Sequence, residues 1–285
     1  MAEDFESLQD VRWITLAGIG ELPTVSEGAA YSELQWDDKY ESAAFVKKGG
    51  YLGITMEAVD RDDTRRLRTA PRALAQAAYL TLAKSVSALF TANSGKGPVL
   101  TDGSNLFDTS SGRGNLGSSA LSVSAWASTR SAMRRFPQLE GGSGSSASLG
   151  TLTAPHFLLV PPELESTALQ VLGAETYPVT AGSGAVGIVN PFAMGDSFDS
   201  RLNAARARVI VVDLWSDSND WAAVANPRYY PTVGIAYRYG RVPEVFSVAA
   251  PNSGLMFSND VMPVKVRFFF AVAPMDWRGM YKHNV

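Results

Sequence analysis

The chain contains two histidines, His156 and His283, and no cysteine. A Ser–His–acid site would have to use one of those imidazoles. His156 opens an apolar run, His283 lies close to the C-terminus, and no G-x-S-x-G elbow is present. The absence of cysteine removes disulfides, thiolate nucleophiles and cysteine-based metal sites. Gly182-Ser183-Gly184-Ala185-Val186-Gly187 satisfies G-x-G-x-x-G, but a dinucleotide site needs a helix to open there. Asn190-Pro191 follows instead, so the stretch reads as a glycine loop. Asp213, Asp217 and Asp220 lack the glycine and the terminal glutamate of a calcium loop, and read as loop and helix-cap acids. No phosphate-binding loop occurs. These residues form no catalytic set, no cofactor site and no metal site, which points away from an enzyme.

Composition narrows the classes further. With 285 residues, 46% of them hydrophobic, the chain can bury one large core or two smaller ones. A net charge of −3 offers no basic field for specific nucleic-acid binding. No apolar run approaches the ~18 residues of a membrane span, and Met1–Phe5 is acidic with no signal-peptide pattern. The expectation is a protein made in a cytoplasm with no membrane partner. Twenty-five glycines and several serine-rich stretches imply many loops, either mobile or pinned from outside the monomer.

Residues 71–93 supply the organising element. Leu74, Ala78, Leu82, Val86 and Leu89 recur every three or four residues, Pro71 suits a first helical turn, and Asn93-Ser94-Gly95 supplies the stop. Such a helix is roughly 35 Å long. Only Arg72 and Lys84 are charged within it, so it is either covered on more than one side or an ordinary core helix with a small-residue back.

The rest of the chain is arranged around this helix. Residues 1–30 carry one apolar cluster, Val11, Trp13, Ile14 and Leu16, which either docks on a neighbour or caps the chain's own core. Residues 31–58 read as an extended, charged hairpin with Gly49-Gly50 as a turn and a second turn available at Asp37-Asp38. A two-stranded arm is marginal alone and needs a neighbour. The run Asp60 to Arg68, with Arg65, Arg66 and Arg68, is either a solvated helix face or an inter-subunit charge cluster, with Asp62 or Asp63 as a helix cap. A second helix is predicted over 119–136, with Leu121, Ala125, Ser128, Ala132 and Arg135 down one side and Trp126 and Met133 near another, and residues 140–150 read as a surface loop. Beyond residue 152 come strands at 156–160, 208–214, 232–239, 243–248 and 264–272. A helix is predicted over 161–172 and a short helical turn at 221–225. The 208–214 strand reads as buried. The class is α+β, with strands partly segregated from helices.

Several of these pieces form an ordered series. Lys47-Lys48-Gly49-Gly50 precedes Ile54-Thr55-Met56-Glu57 and Asp62-Asp63. Pro71-Arg72-Ala73-Leu74 then opens the long helix. Thr101-Asp102-Gly103, Leu106-Phe107 and Gly114-Asn115-Leu116 follow. This series resembles the major capsid proteins of tailed phages, in particular the Mu-like head-subunit branch. That branch commonly has a histidine before its Gly-Asn-Leu and an arginine where Met56 stands. The resemblance implies a Hong Kong 97-like fold: an N-terminal arm (1–30), an extended E-loop (31–58), and a peripheral domain (59–150) carrying the spine helix 71–93. An axial domain (151–226) follows, and the chain returns to the peripheral domain over 227–285.

The implied function is self-assembly into hexamers and pentamers that close an icosahedral shell around packaged double-stranded DNA, held non-specifically, with a portal at one vertex. The implied location is the virion, after assembly in a host cytoplasm. Contacts expected to carry assembly are Trp13, Lys47, Lys48, Tyr51, Arg65, Arg66 and Arg68. Family members that crosslink use an E-loop lysine, and Lys47 and Lys48 fit by location only. Thirty residues before the E-loop leave no room for a cleavable scaffolding segment, so either a separate scaffold acts or the chain is trimmed. The alternatives are an encapsulin-like compartment and an enzyme of unrecognised class.

Overall fold

The computed structural model describes residues 1–16, 24–28, 30–31, 38–61, 69–110, 112–138, 148–173, 176–177, 188–190, 192, 207–248, 250–252 and 254–285. In chain order the first half contains β1 (Ala2–Asp4), β2 (Val11–Leu16), β3 (Asp38–Ala43), β4 (Val46–Thr55), α1 (Met56–Asp60), α2 (Ala70–Thr91), β5 (Leu116–Gly117) and α3 (Val123–Arg134). The second half contains β6 (Pro155–Val160), α4 (Glu165–Gly173), β7 (Thr176–Tyr177), β8 (Ile188–Val189), β9 (Arg208–Val211), β10 (Trp221–Ala225), β11 (Val233–Arg238), β12 (Glu244–Ser247), α5 (Gly254–Asn259), β13 (Val261–Pro274) and β14 (Met280–His283). Helices and sheets make the α+β class expected from the sequence.

The first sheet is built on β13. Its 14 residues pair antiparallel with β4 along one edge and with β12 and β11 in tandem along the other, and β1 adds in parallel beyond β11. Side chains alternate across a strand, so Val264, Val266, Phe268 and Phe270 are buried while Lys265, Arg267 and Phe269 face the other way. The buried face is covered by α2. Leu74, Ala78 and Leu82 pack on Val266, Phe268 and Phe270, and the Tyr79 ring meets Phe268 edge-on at 6.3 Å. Helix α2 stops where Asn93, Ser94 and Gly95 take positive φ, as the sequence indicates.

By length and a mean hydropathy of 1.2, α2 could also cross a bilayer, contrary to the expectation that no segment approaches this. Its packing on β13 makes it the helical layer of a folded sheet. Only 22% of that apolar window is buried, so among the described residues the helix is covered on one side only.

The second sheet runs β5-β14-β10-β6-β9 and encloses the largest core with α3 and α4. It draws strands from residues 116–117 and 280–283 as well as from 155–225. The C-terminal turn of α2 enters this core through Leu89 and Phe90, and Phe90 packs on Phe107 and Trp215. One helix therefore ties the two sheets together.

Four expectations are corrected. Gly49-Gly50 lies inside β4 rather than in a turn, because β4 pairs continuously with β13. The antiparallel ribbon is β2 with β3, not 31–58 with itself. Residues 221–225 form a central strand. Trp221, Ala222, Ala223 and Ala225 are fully buried between β14 and β6, and burial on both faces overrides the helical preference of alanine. Strand β9 is an edge strand with Ile210 exposed, where a buried strand was expected.

Helix α3 lies within the second helix read from the sequence. Ser122 caps it, Ala125, Trp126, Thr129 and Met133 are buried, and Ser128 and Arg135 are exposed. The expected caps Asp62 and Asp63 and most of the loop 140–150 lie outside the described residues; the short helix that is described, α1, is capped by Thr55.

Trp13 seats the β2–β3 ribbon on the first sheet. Its indole lies over Gly234, where an added Cβ would come within 2.6 Å of the ring. Val11 and Trp13 are buried with Ala236, Ala271 and Ala273. Truncation by Trp13→Ala is expected to cost about 3 kcal/mol, read from urea denaturation, because the flat alanine floor cannot collapse into the gap.

Candidate assembly surface

The residues with chemical potential are spent on the core. His283 stacks on Trp221 with ring centroids 4.1 Å apart. The Ser119 backbone N–H donates to its Nδ1 at 3.0 Å, which leaves the proton on Nε2 to donate to Thr129 Oγ1 at 2.8 Å. The Thr129 hydroxyl in turn donates to the Ala125 carbonyl. Burial holds the imidazole neutral and lowers its pKa to about 4.

Beside it, Lys282 Nζ lies 2.5 Å from Asp220 Oδ2, and both side chains are almost fully buried. The ammonium also donates to the Gly95 carbonyl, and Asp220 Oδ1 accepts the Val285 N–H. A Cβ at Gly95 would come within 2.5 Å of Lys282 Nζ, so a side chain there would block the approach. Asp217 accepts the Asn219 N–H, and Asp213 is exposed. His156 is half-buried, with its pKa lowered by burial and then by Arg208. The glycine stretch 182–187 lies outside the described residues. Among the described residues no three His, Asp or Glu side chains are grouped to hold a metal.

Within the series Thr101 to Leu116, the residues Leu106, Phe107, Arg113 and Asn115 come together in one buried cluster. Leu106 and Phe107 are fully buried, Asn115 Nδ2 donates to the Leu106 carbonyl at 2.9 Å, and Asn115 Oδ1 accepts the Asp108 N–H. Arg113, itself buried, pairs with Asp102. Its guanidinium and the Ser104 N–H hold the Asp102 carboxyl below its usual pKa, against the opposing effect of burial. These residues were legible as a motif, and their role is to fasten the segment after α2 under β14.

The surface is where uncovered side chains are concentrated. Nine residues of β4 are exposed and only Ile54 is buried. Lys47, Lys48 and Tyr51 stand on it, and the Tyr51 side chain is 69% exposed. At the far end of the first sheet α1 and α5 meet through Met56 N–H to the Asp260 carbonyl. There Met56, Val59, Leu255 and Phe257 are exposed, Phe257 to 78%. Along α2, Tyr79 and Leu80 are exposed as well. Sequence reasoning did not single out α5, because six residues show too little periodicity. Trp13 is covered within its own chain, and Arg65, Arg66 and Arg68 lie outside the described residues.

A long helix on a long strand, a second sheet with its own core and an outlying ribbon make up the fold. The chain is similar to a Mycobacterium phage Adephagia structure (TM-score 0.57, 12% identity, 99% of this chain and 86% of that one). It is also similar to the capsid of Myoviridae phage XM1 (TM-score 0.54, 10%, 98% and 86%). A third similar structure is the holo-SrpI encapsulin complex of Synechococcus elongatus PCC 7942 (TM-score 0.51, 10%, 99% and 85%). No curated protein sequence matches the chain. The family model described as phage capsid protein matches residues 39–283, and the chain belongs to that family. It is a structural subunit of the virion shell.

Two outcomes follow from the C-terminal network. His283 binds a proton more weakly folded than unfolded, so its contribution to stability is complete above about pH 6.5 and is lost as pH falls through about 4. Melting temperature should fall across that window, and His283→Gln should flatten the slope while lowering stability at pH 7. Lys282→Met strands the Asp220 carboxylate and should cost about 3–5 kcal/mol in chemical denaturation, with Asp220→Asn in the same chain recovering part of it.

Proposed function

We propose that the chain is a major head subunit, of the Mu-like branch, whose copies form hexamers and pentamers and close an icosahedral shell around packaged double-stranded DNA. The observation that carries this reading is the match of residues 39–283 to the phage capsid family. The surface supports it: among the described residues β4, the outer side of α2 and the α1–α5 end are without cover. Many weak contacts of this kind, each from an element that reaches a neighbour, multiply one another through effective concentration.

The proposed map takes 1–30 as the arm and 31–58 as the E-loop, with the β2–β3 ribbon as the extended element that joins them. The spine α2 belongs to the peripheral domain 59–150, residues 151–226 form the axial domain, and residues 227–285 return to the periphery. Lys47, Lys48 and Tyr51 on β4, Trp13 through the ribbon it seats, and Arg65, Arg66 and Arg68 are the proposed assembly contacts. The subunit works without a catalytic residue or cofactor. A separate scaffold guides closure, a portal occupies one vertex, and a mildly negative wall leaves DNA free to slide, which a strongly basic lining would prevent.

Negative-stain electron microscopy with size-exclusion chromatography of the expressed chain tests this. Closed shells or rings of five and six are expected; a compact monomer that persists at high concentration would sink the proposal. Phe257→Asp should leave the circular dichroism spectrum and melting temperature unchanged while reducing particle formation at least about tenfold, since an exposed phenylalanine gives up area only when a neighbour covers it.

A further inference from the structure

We infer that Phe257 of one copy seats in a cleft at the opposite end of the first sheet of the next copy, so that subunits join head to tail. The contact rests on the shell reading above and gives that reading a named pair of surfaces. One surface is convex and the other concave, and each is built by this chain.

The convex surface is α5. Its six residues lead directly into β13, and Phe257 stands out at 78% exposure, with Leu255, Met56 and Val59 exposed at the same end. The helix itself is anchored: Met256 is buried, and the Met56 N–H donates to the Asp260 carbonyl at 3.0 Å. Along α1, α5 and the described residues that flank them, three exposed acids, Glu57, Asp60 and Asp260, stand against one cation, Arg61.

The concave surface is an open cleft of about 370 Å³ where β3 runs into β4, beside the end of β13 and the last turns of α2. Leu89, Val99, Phe270, Val272 and Pro274 give it apolar walls. Its charged lining residues are Glu41 and Lys48. Glu41 is already held by Thr101, accepting the N–H at 3.0 Å and the hydroxyl at 2.8 Å. Lys48 is exposed and has no carboxylate partner among the described residues. Lys84, next to Ser85 in the lining, and Lys96, two residues before Pro98, are exposed as well. An aromatic side chain gives up about 150–250 Å² when enclosed, and enclosed aromatic anchors dominate interface energetics.

The occupant is a second copy. A strand rises about 3.3 Å per residue, so β13 holds α5 roughly 30–40 Å from the cleft, and no chain fills its own. The apolar knob is ringed by acids and the apolar cleft by lysines, and every copy carries one of each. Docking knob on knob would set acid against acid, and cleft on cleft would set lysine against lysine. Two different patches that fit each other form a heterologous contact, which closes into rings when the rotation between copies allows.

The test is chemical crosslinking. The chain has no cysteine, so introduced thiols report only their own contacts. Ser258 lies beside Phe257 and Ser42 lines the cleft, and both are exposed. Full chains carrying Ser258→Cys are mixed at high concentration with chains carrying Ser42→Cys and a mass-shifting tag. A short bis-maleimide then links them, denaturing gels read the products, and electron microscopy scores particles in the same sample. Mixed pairs are expected to exceed like pairs at least about tenfold. Phe257→Ala in the Ser258→Cys chain should abolish that excess, and circular dichroism confirms that each variant folds. A chain carrying both cysteines should give a ladder beyond the dimer. Particles without an excess of mixed pairs would overturn the inference and leave the shell reading standing. So would an excess that Phe257→Ala does not reduce, or a double variant that stops at the dimer. Mixed pairs without closed shells or rings would uphold the contact and count against the shell. Neither particles nor mixed pairs would sink both.

Discussion

A sheet face leaves water only if something apolar lies on it, and here α2 does that for β13. Phe268 and Phe270 are buried because Ala78, Leu82 and Leu74 lie across them. Small helical side chains let the helix axis approach the strand closely, so one layer of aromatics fills the space between. The same helix then runs on into the second core through Leu89 and Phe90. The sheets are also joined by the short connections from β10 to β11 and from β13 to β14, and α2 adds a helix that packs into both cores.

The second core is closed at the C-terminus by polar groups that are fully matched. Lys282, Asp220, His283 and Thr129 are buried far apart in sequence, and each reaches a partner. Burying such groups stabilises little compared with a packed apolar core. What it supplies is geometry, because a charge pair tolerates few arrangements. A shell subunit must present its edges at defined angles, so a body that resists shear suits its function.

Against that fixed body stand elements that no other described residue covers. Strand β4 is held along one edge, and the α1–α5 end exposes several apolar side chains. Soluble monomers usually blunt such features with short edges, charges or prolines. Here Lys47 and Lys48 guard the edge, but among the described residues its outer side has no strand partner. This division between a closed interior and open outliers is what the phage capsid family requires of a subunit that completes its surface with neighbours.

Much of this was legible in one dimension. The 3.6-residue period of α2, its Asn-Ser-Gly stop and the alternation within β13 are local signals, and the structure places these elements within two or three residues of the expected bounds. The family resemblance rested on motif order, and the Leu106-Phe107 and Asn115 pieces fold as one unit. What the sequence could not decide was partnership. Gly49-Gly50 has the chemistry of a hairpin turn, yet β13 is long enough to hold both glycines in one straight strand. Trp221 to Ala225 has helical composition, yet it is flanked by strands on both sides. Trp13 could have served a neighbour, and it found Gly234 in its own sheet. Local propensity is written residue by residue. Which edges pair, which polar groups meet and which surfaces stay open depend on contacts between distant segments, and only the tertiary structure settles those.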